Sequence, residues 1–204
     1  MVSCAASQNG IDMQDANTIL DFLQSRNSAP RLTEPGPSDA QLDDMLRCAL
    51  RSPDHCWLRP WRFISISGER RSELGELMLA SLLRRNPQAD ETARNKALAA
   101  PLRAPRMLIV LAALQDNAKV PHWEQQISAG CAAFSVLLAA EALGFGAVWR
   151  TGAVAEDAIF AGDLGAGANE RIIGFIYLGT RDGARKSLPE LEPSQFHRHW
   201  DGLA

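Results

Sequence analysis

Between Glu124 and Leu143 the chain reads as one long helix whose middle, SAGCAAFSVLLAAEA, is apolar or small all round. A helix of that kind keeps no face for water and is buried on most of its sides. Its most apolar run, Ala129 to Ala140, is shorter than the ~20 residues needed to span a bilayer, and Glu124 and Glu141 flank it. It is therefore expected inside a protein rather than a membrane. Its small residues allow close approach by another helix or by a second subunit. The rest of the chain has to supply the cover, and the periodicity of the flanking segments shows how.

Asp15 is placed to cap a helix through Ile19, Leu20, Phe22 and Leu23 that ends near Ser25 to Ser28. Pro30 to Pro37 reads as a loop. Ser38, with Gln41 at the capping-box position, starts a second helix with Leu42, Met45, Leu46 and Ala49 on one face. A strand is expected over Phe63–Ser67, and a helix over about Arg71–Leu83, broken at Asn86-Pro87. A polar helix over about Asp90–Ala99 and a linker bracketed by Pro101 and Pro105 follow. Met107 to Leu114 is apolar on both faces, the pattern of a central strand. Gly144 stands where a helix-ending glycine belongs, before a short strand Ala147–Trp149. Asp157–Phe160 reads as a short helix and Ile172–Gly179 as a third strong strand. The glycines between Gly162 and Gly167 do not have phosphate-loop spacing. Strands and helices interleave irregularly, which indicates a single α+β domain.

With 204 residues, 46% of them hydrophobic, the chain suits one domain with a real core. Residues 1–15 read as a mobile arm without signal-peptide character, and residues 16–204 as the domain, with a polar tail after Thr180 that packs over the domain or a partner. A net charge of −3 gives no general pull towards nucleic acid or anionic lipid. Cys4, Cys48, Cys56 and Cys131 are scattered, with no C-x-x-C pair, so neither a zinc site nor a disulfide framework is expected. Reduced thiols fit a cytoplasmic protein.

The stretch RSPDHCWLRPWRF, from Arg51 to Phe63, concentrates polar and aromatic groups around Pro53 and Pro60. A helix delivers it to the start of a strand, and loops held by rigid elements are where ligand-binding groups gather. A turn with satisfied polar side chains is the plainer alternative. His122, His197 and His199 lack metal-ligand spacing, and no G-x-S-x-G nucleophile elbow is present. What remains is an anion-binding set at three element boundaries: Arg26 with Ser28, Arg51 with His55, and Arg150 with Thr151. Guanidinium forks and hydroxyls suit phosphate oxygens. Their convergence on one phosphate-bearing ligand is the sharp expectation, and solvated helix ends are the plainer one.

The segments RSPDHCWLRPWRF, KVPHWEQQISAGCAAFSVLLAAEALGFGAVWRTG and IIGFIYLGT, in this order within about Thr18 to Pro193, resemble the nitroreductase family, in its small single-domain NAD(P)H branch. The resemblance implies an FMN-binding α+β fold with a central mixed, mostly antiparallel sheet flanked by helices. It also implies an intertwined homodimer holding two flavins at its interface. By resemblance, Arg26, Asn27 and Ser28 hold the FMN phosphate, with Asn27 standing where a second arginine is common. Arg51 and His55 reach the flavin of the partner subunit, and Arg150, Thr151 and Gly152 form the third contact. The nicotinamide site of the branch maps to Ala140 through Phe145, but a mostly buried helix is an awkward place for a dinucleotide, and stacking on the open flavin face suits it better. The segment Ser81 to Pro101 would shape that face. The implied activity is hydride transfer from NAD(P)H through FMN to nitroaromatic or quinone-like small molecules. It requires no side chain as a nucleophile and no metal, nucleic acid or membrane. A flavin-binding sensor or carrier without turnover is an alternative reading, as is another flavin reaction on the same fold, such as reductive dehalogenation or flavin destruction.

Overall fold

The computed structural model describes residues 13–202. They fall into two compact units, one of residues 13–27 with 184–202 and one of residues 28–183. In the first unit, helix α1 (Met13–Gln24) starts before Asp15, which sits in its first turn rather than capping it. A carboxylate there still complements the helix dipole. The expected arm lies largely outside the described residues. The tail holds a 3₁₀ turn at Pro193–Gln195 and leaves Leu188, Leu191, Phe196 and Trp200 exposed. Within this unit, Arg185 Nη1 donates to the Ser25 carbonyl at 3.4 Å.

The second unit is built on a five-stranded sheet. Its elements are β1 (Leu32–Thr33), α2 (Asp39–Ala49), β2 (Trp61–Ser67), α3 (Arg70–Arg85), α4 (Glu91–Ala99), β3 (Arg106–Ala113), α5 (His122–Ala142), β4 (Gly146–Arg150), α6 (Ala158–Asp163) and β5 (Glu170–Arg181). β3 lies between β2 and β5, and β5 also pairs with β1 and β4. Every described pairing is antiparallel, so the parallel component implied by the resemblance is not seen among these strands. β1 falls inside the segment read as a loop. Two residues are too few for periodicity to register.

The apolar faces sort onto the two sides of the sheet. On one side Leu108, Val110, Ala112, Ile176 and Leu178 pack against Leu42, Met45 and Ala49 of α2 and Ala129, Ala132, Ala133 and Val136 of α5. On the other, Met107, Ile109, Leu111, Phe175 and Tyr177 meet Leu74 and Met78 of α3 and Phe160 of α6. Alternation along β3 feeds both sides, which is why the strand is apolar from Met107 to Ala113.

Local chemistry sets the ends of these elements. Ser38 Oγ accepts from Gln41 N, and the Gln41 side chain accepts from Ser38 N, the full capping box. Gly144, at φ +82°, adopts the left-handed conformation that closes α5. Asp157 caps α6 by accepting from the N–H groups of Ile159 and Phe160. α6 runs beyond Phe160 and takes in Gly162.

α5 is not buried all round. It buries nine residues against the sheet side but leaves Trp123, Ile127 and Phe134 exposed. Their spacing of four and seven puts them on one stripe. No helix among the described residues is long and apolar enough to cross a membrane.

Candidate cofactor site

The loop between α2 and β2 is braced from several directions. Arg51 N donates to the Cys48 carbonyl, and Ser52 N to that of Ala49, closing α2. Ser128 Oγ of α5 donates to the Pro53 carbonyl. Asp54 Oδ2 accepts from Arg59 N at 2.9 Å, which brackets the loop. Gln115 Nε2 donates to the Leu58 carbonyl at 2.6 Å. Inside this bracket Cys56, Trp57 and Arg59 have φ of +60°, +56° and +50°. Left-handed backbone at a non-glycine residue costs about 1–3 kcal/mol, and it persists where the surroundings over-determine it.

His55 Nδ1 lies 2.8 Å from Glu124 Oε1 in the first turn of α5. The carboxylate fixes which ring nitrogen carries a proton and leaves Nε2 for another partner. A cavity of about 150 Å³ adjoins this pair, with Pro53, Leu58, Gln125, Ser128 and Cys131 among its lining. Buried Gln125 organises its rim, accepting from Gln115 N and donating to the carbonyls of Gln115 and Val120. The sequence reading did not single out Glu124, Gln125 or Ser128 as site residues. The signal for Glu124 and Ser128 was their spacing of four at the start of the long helix. On the outer side of the loop, a second pocket of about 550 Å³ is lined by Leu50, Arg51, Ser52, Asp54, Trp57, Arg59 and Trp61.

Arg150 ends β4, opposite Phe175 in the register with β5. Its guanidinium carbon lies 5.6 Å from the Tyr177 ring centroid, a cation–π contact. Its Nε is buried without a hydrogen-bond partner. Burial pushes the Tyr177 hydroxyl above its ordinary pKa, while the positive charges of Arg150 and Arg103 pull the other way. Thr151 and Gly152 follow, and Gly152 takes φ +134°, a conformation that favours glycine. Both line a cavity of about 400 Å³ with Ala153, Glu156, Ile172 and Ile173.

The structure thus brings Arg51 and His55 together on one loop and Arg150, Thr151 and Gly152 together on another, but it keeps the two groups apart within one protomer. The first group follows α2 on one side of the sheet. Arg150 turns to the side of Tyr177, α3 and α6. β3 and β5 intervene between β2 and β4. At about 4.8 Å per strand, the separation across the sheet is roughly 14 Å. Arg26 and Asn27 belong to the first unit, where Asn27 Nδ2 donates to the Lys186 carbonyl at 2.6 Å, and Ser28 opens the second.

The donor set suits FMN. The unpartnered Nε of Arg150 is a buried donor that an anion would satisfy, and guanidinium, imidazole and hydroxyl groups bind phosphate and sugar oxygens.

The chain matches the Nitroreductase family over residues 24–180. It is 42% identical over 178 residues to the Escherichia coli (strain K12) protein named "Putative NAD(P)H nitroreductase YdjA", covering 87% of this chain and 96% of that one. Among solved structures, a nitroreductase-like family protein from Bacillus cereus superposes with a TM-score of 0.77 at 21% identity, covering 90% of this chain and 96% of the other. A nitroreductase with bound FMN from Bacteroides fragilis NCTC 9343 gives 0.70 at 19% identity, covering 89% and 98%. The two structures share the α+β fold described above, and the family match spans the loops that carry Arg51 and Arg150. On these grounds the chain belongs to the nitroreductase family.

Proposed function

We propose that the protein is an FMN-dependent NAD(P)H oxidoreductase that acts, as a homodimer, on nitroaromatic or quinone-like acceptors. When bound, FMN would supply the redox chemistry that links the reduced nicotinamide to the acceptor, and the protein would supply binding and orientation. Arg150 and Thr151 bind the cofactor from one subunit, together with Arg26, Asn27 and Ser28. Arg51 and His55 reach the cofactor bound mainly by the other subunit. Gly152 leaves room for close approach of the backbone. Glu124 orients His55, and no side chain serves as a nucleophile. The tail after Thr180 packs on the partner.

The observation that carries this reading is the exposed stripe of Trp123, Ile127 and Phe134 on α5. Glu124, which holds His55, stands beside Trp123 on that helix. A second copy covering the stripe would also close over His55, and would place it in reach of a site that its own protomer's Arg150 cannot share. Apolar faces of this kind are what obligate dimers bury.

The test is a visible spectrum of the purified protein, followed by anaerobic addition of NADH or NADPH and sedimentation of the same sample. A yellow dimer that bleaches with nicotinamide and recovers with a nitroaromatic compound is the expected result. A colourless monomer that takes up no added FMN would overturn the reading.

A further inference from the structure

The geometry points to an acceptor pocket on the outer side of the α2–β2 loop that selects a planar aromatic molecule bearing an anionic group, with Trp57 taking the ring and Arg59 the charge. The inference rests on the functional reading above and narrows its acceptor class. The pocket of about 550 Å³ falls within the roughly 300–1,000 Å³ usual for small-molecule sites. Its apolar surface is uncommitted, since the Trp57 indole is 81% exposed and Leu50 beside it is exposed as well. An indole offers a flat face on which an electron-poor ring stacks.

The charge balance of the pocket favours an anion. Arg51 and Arg59 both line it, and neither guanidinium is paired with a carboxylate among the described residues. Asp54 is the one acidic residue in the lining. Its Oδ2 is taken by the Arg59 backbone N–H and its Oδ1 is buried without a hydrogen-bond partner, so one carboxylate stands against two guanidinium groups in the lining. Arg51 has a proposed role at the cofactor. Arg59 has none, and its planar fork matches a carboxylate in two-point contact.

The presentation is also built in advance. The left-handed residues Cys56, Trp57 and Arg59 turn within a bracket fixed by Asp54 and by Gln115 on the Leu58 carbonyl. A backbone braced in this way needs little reordering when a ligand arrives.

The experiment is calorimetric titration of the full-length protein, supplied with FMN, using 4-nitrobenzoate, uncharged nitrobenzene and adenosine monophosphate as probes. The native protein is expected to prefer 4-nitrobenzoate to nitrobenzene. Arg59→Gln should weaken 4-nitrobenzoate about tenfold, as loss of a charged hydrogen bond does, and leave nitrobenzene unchanged. Trp57→Ala should weaken both nitro compounds. Flavin absorbance per protomer should be the same in both variants. Equal affinity of the native protein for the two nitro compounds would overturn the proposal. So would an Arg59→Gln variant that retains the preference, or one that loses only adenosine monophosphate. Absence of flavin from the native protein would instead count against the cofactor reading, and the probe preference would still be measurable.

Discussion

His55 and Glu124, sixty-nine positions apart in the chain, meet with Nδ1 and Oε1 at 2.8 Å. The contact ties the α2–β2 loop to the first turn of α5, so the helix that carries the exposed apolar stripe also aims the imidazole. Glu124→Gln keeps an acceptor in place but removes the charge, and Glu124→Ala frees the ring. FMN affinity, followed by quenching of flavin fluorescence, is expected to fall several-fold in the first variant and by about tenfold or more in the second, the scale typical of groups that orient a ligand-binding histidine. Equal affinity in all three proteins would show that Glu124 has no positioning role.

Arg150 carries a buried Nε without a partner. Arg150→Ala should lower FMN affinity by roughly ten- to a hundredfold, the cost of losing a charged hydrogen bond. Arg150→Lys should restore part of it, since lysine keeps the charge and loses the fork. The ratio of flavin to protein absorbance after dialysis reads both.

The exposed stripe of α5 is the place to test assembly. Ala132 is fully buried against the sheet side, so a large residue there would damage the core rather than the interface. Phe134 is 44% exposed. Phe134→Asp should shift the sedimentation coefficient towards that of a monomer and release FMN with the partner, while far-ultraviolet circular dichroism stays unchanged. A fully flavinated monomer would refute the shared site.

Asp157 links α3 to α6. Its carboxylate caps α6 and accepts from Arg84 Nη2 at 2.8 Å. Burial alone would push its carboxyl pKa up, but the nearby Ser81 hydroxyl, the Phe160 N–H and the Arg84 charge outweigh it and hold the value at about 2, below the ordinary 3.8. A folded-state pKa below the unfolded one means stability that is complete above pH 3.8 and is lost as pH falls through about 2. The shift corresponds to about 2 kcal/mol. Asp157→Asn should cost roughly 1–2 kcal/mol at neutral pH and should flatten the decline between pH 4 and 2, as followed by urea unfolding across pH.

Much of the frame was legible because single segments carry it. Ser38 and Gln41 lie three residues apart and cap α2 as that spacing requires. β3 is apolar at every position that the two sides of the sheet demand. What stayed hidden depends on pairing between distant segments or on backbone choices with no residue signal. β1 exists only because β5 offers an edge to Leu32 and Thr33. Cys56, Trp57 and Arg59 turn left-handed without a glycine or asparagine to announce it. That Arg51 follows α2 on one side of the sheet while Arg150 lies against Tyr177 on the other depends on how distant elements pack, which no local pattern records. Motif order points both loops towards a single ligand, whereas the topology keeps them on separate parts of one protomer.

β3 is sealed above and below by the two apolar layers and paired along both edges. Its amides should exchange with solvent only when the whole second unit comes apart, whereas amides of the loop at Cys56 to Arg59 can exchange through local opening. A modest rise in temperature can therefore empty this loop of its shape while the sheet persists, so, if the loop holds the cofactor as proposed, loss of activity would run ahead of any change in secondary structure and would reverse on cooling.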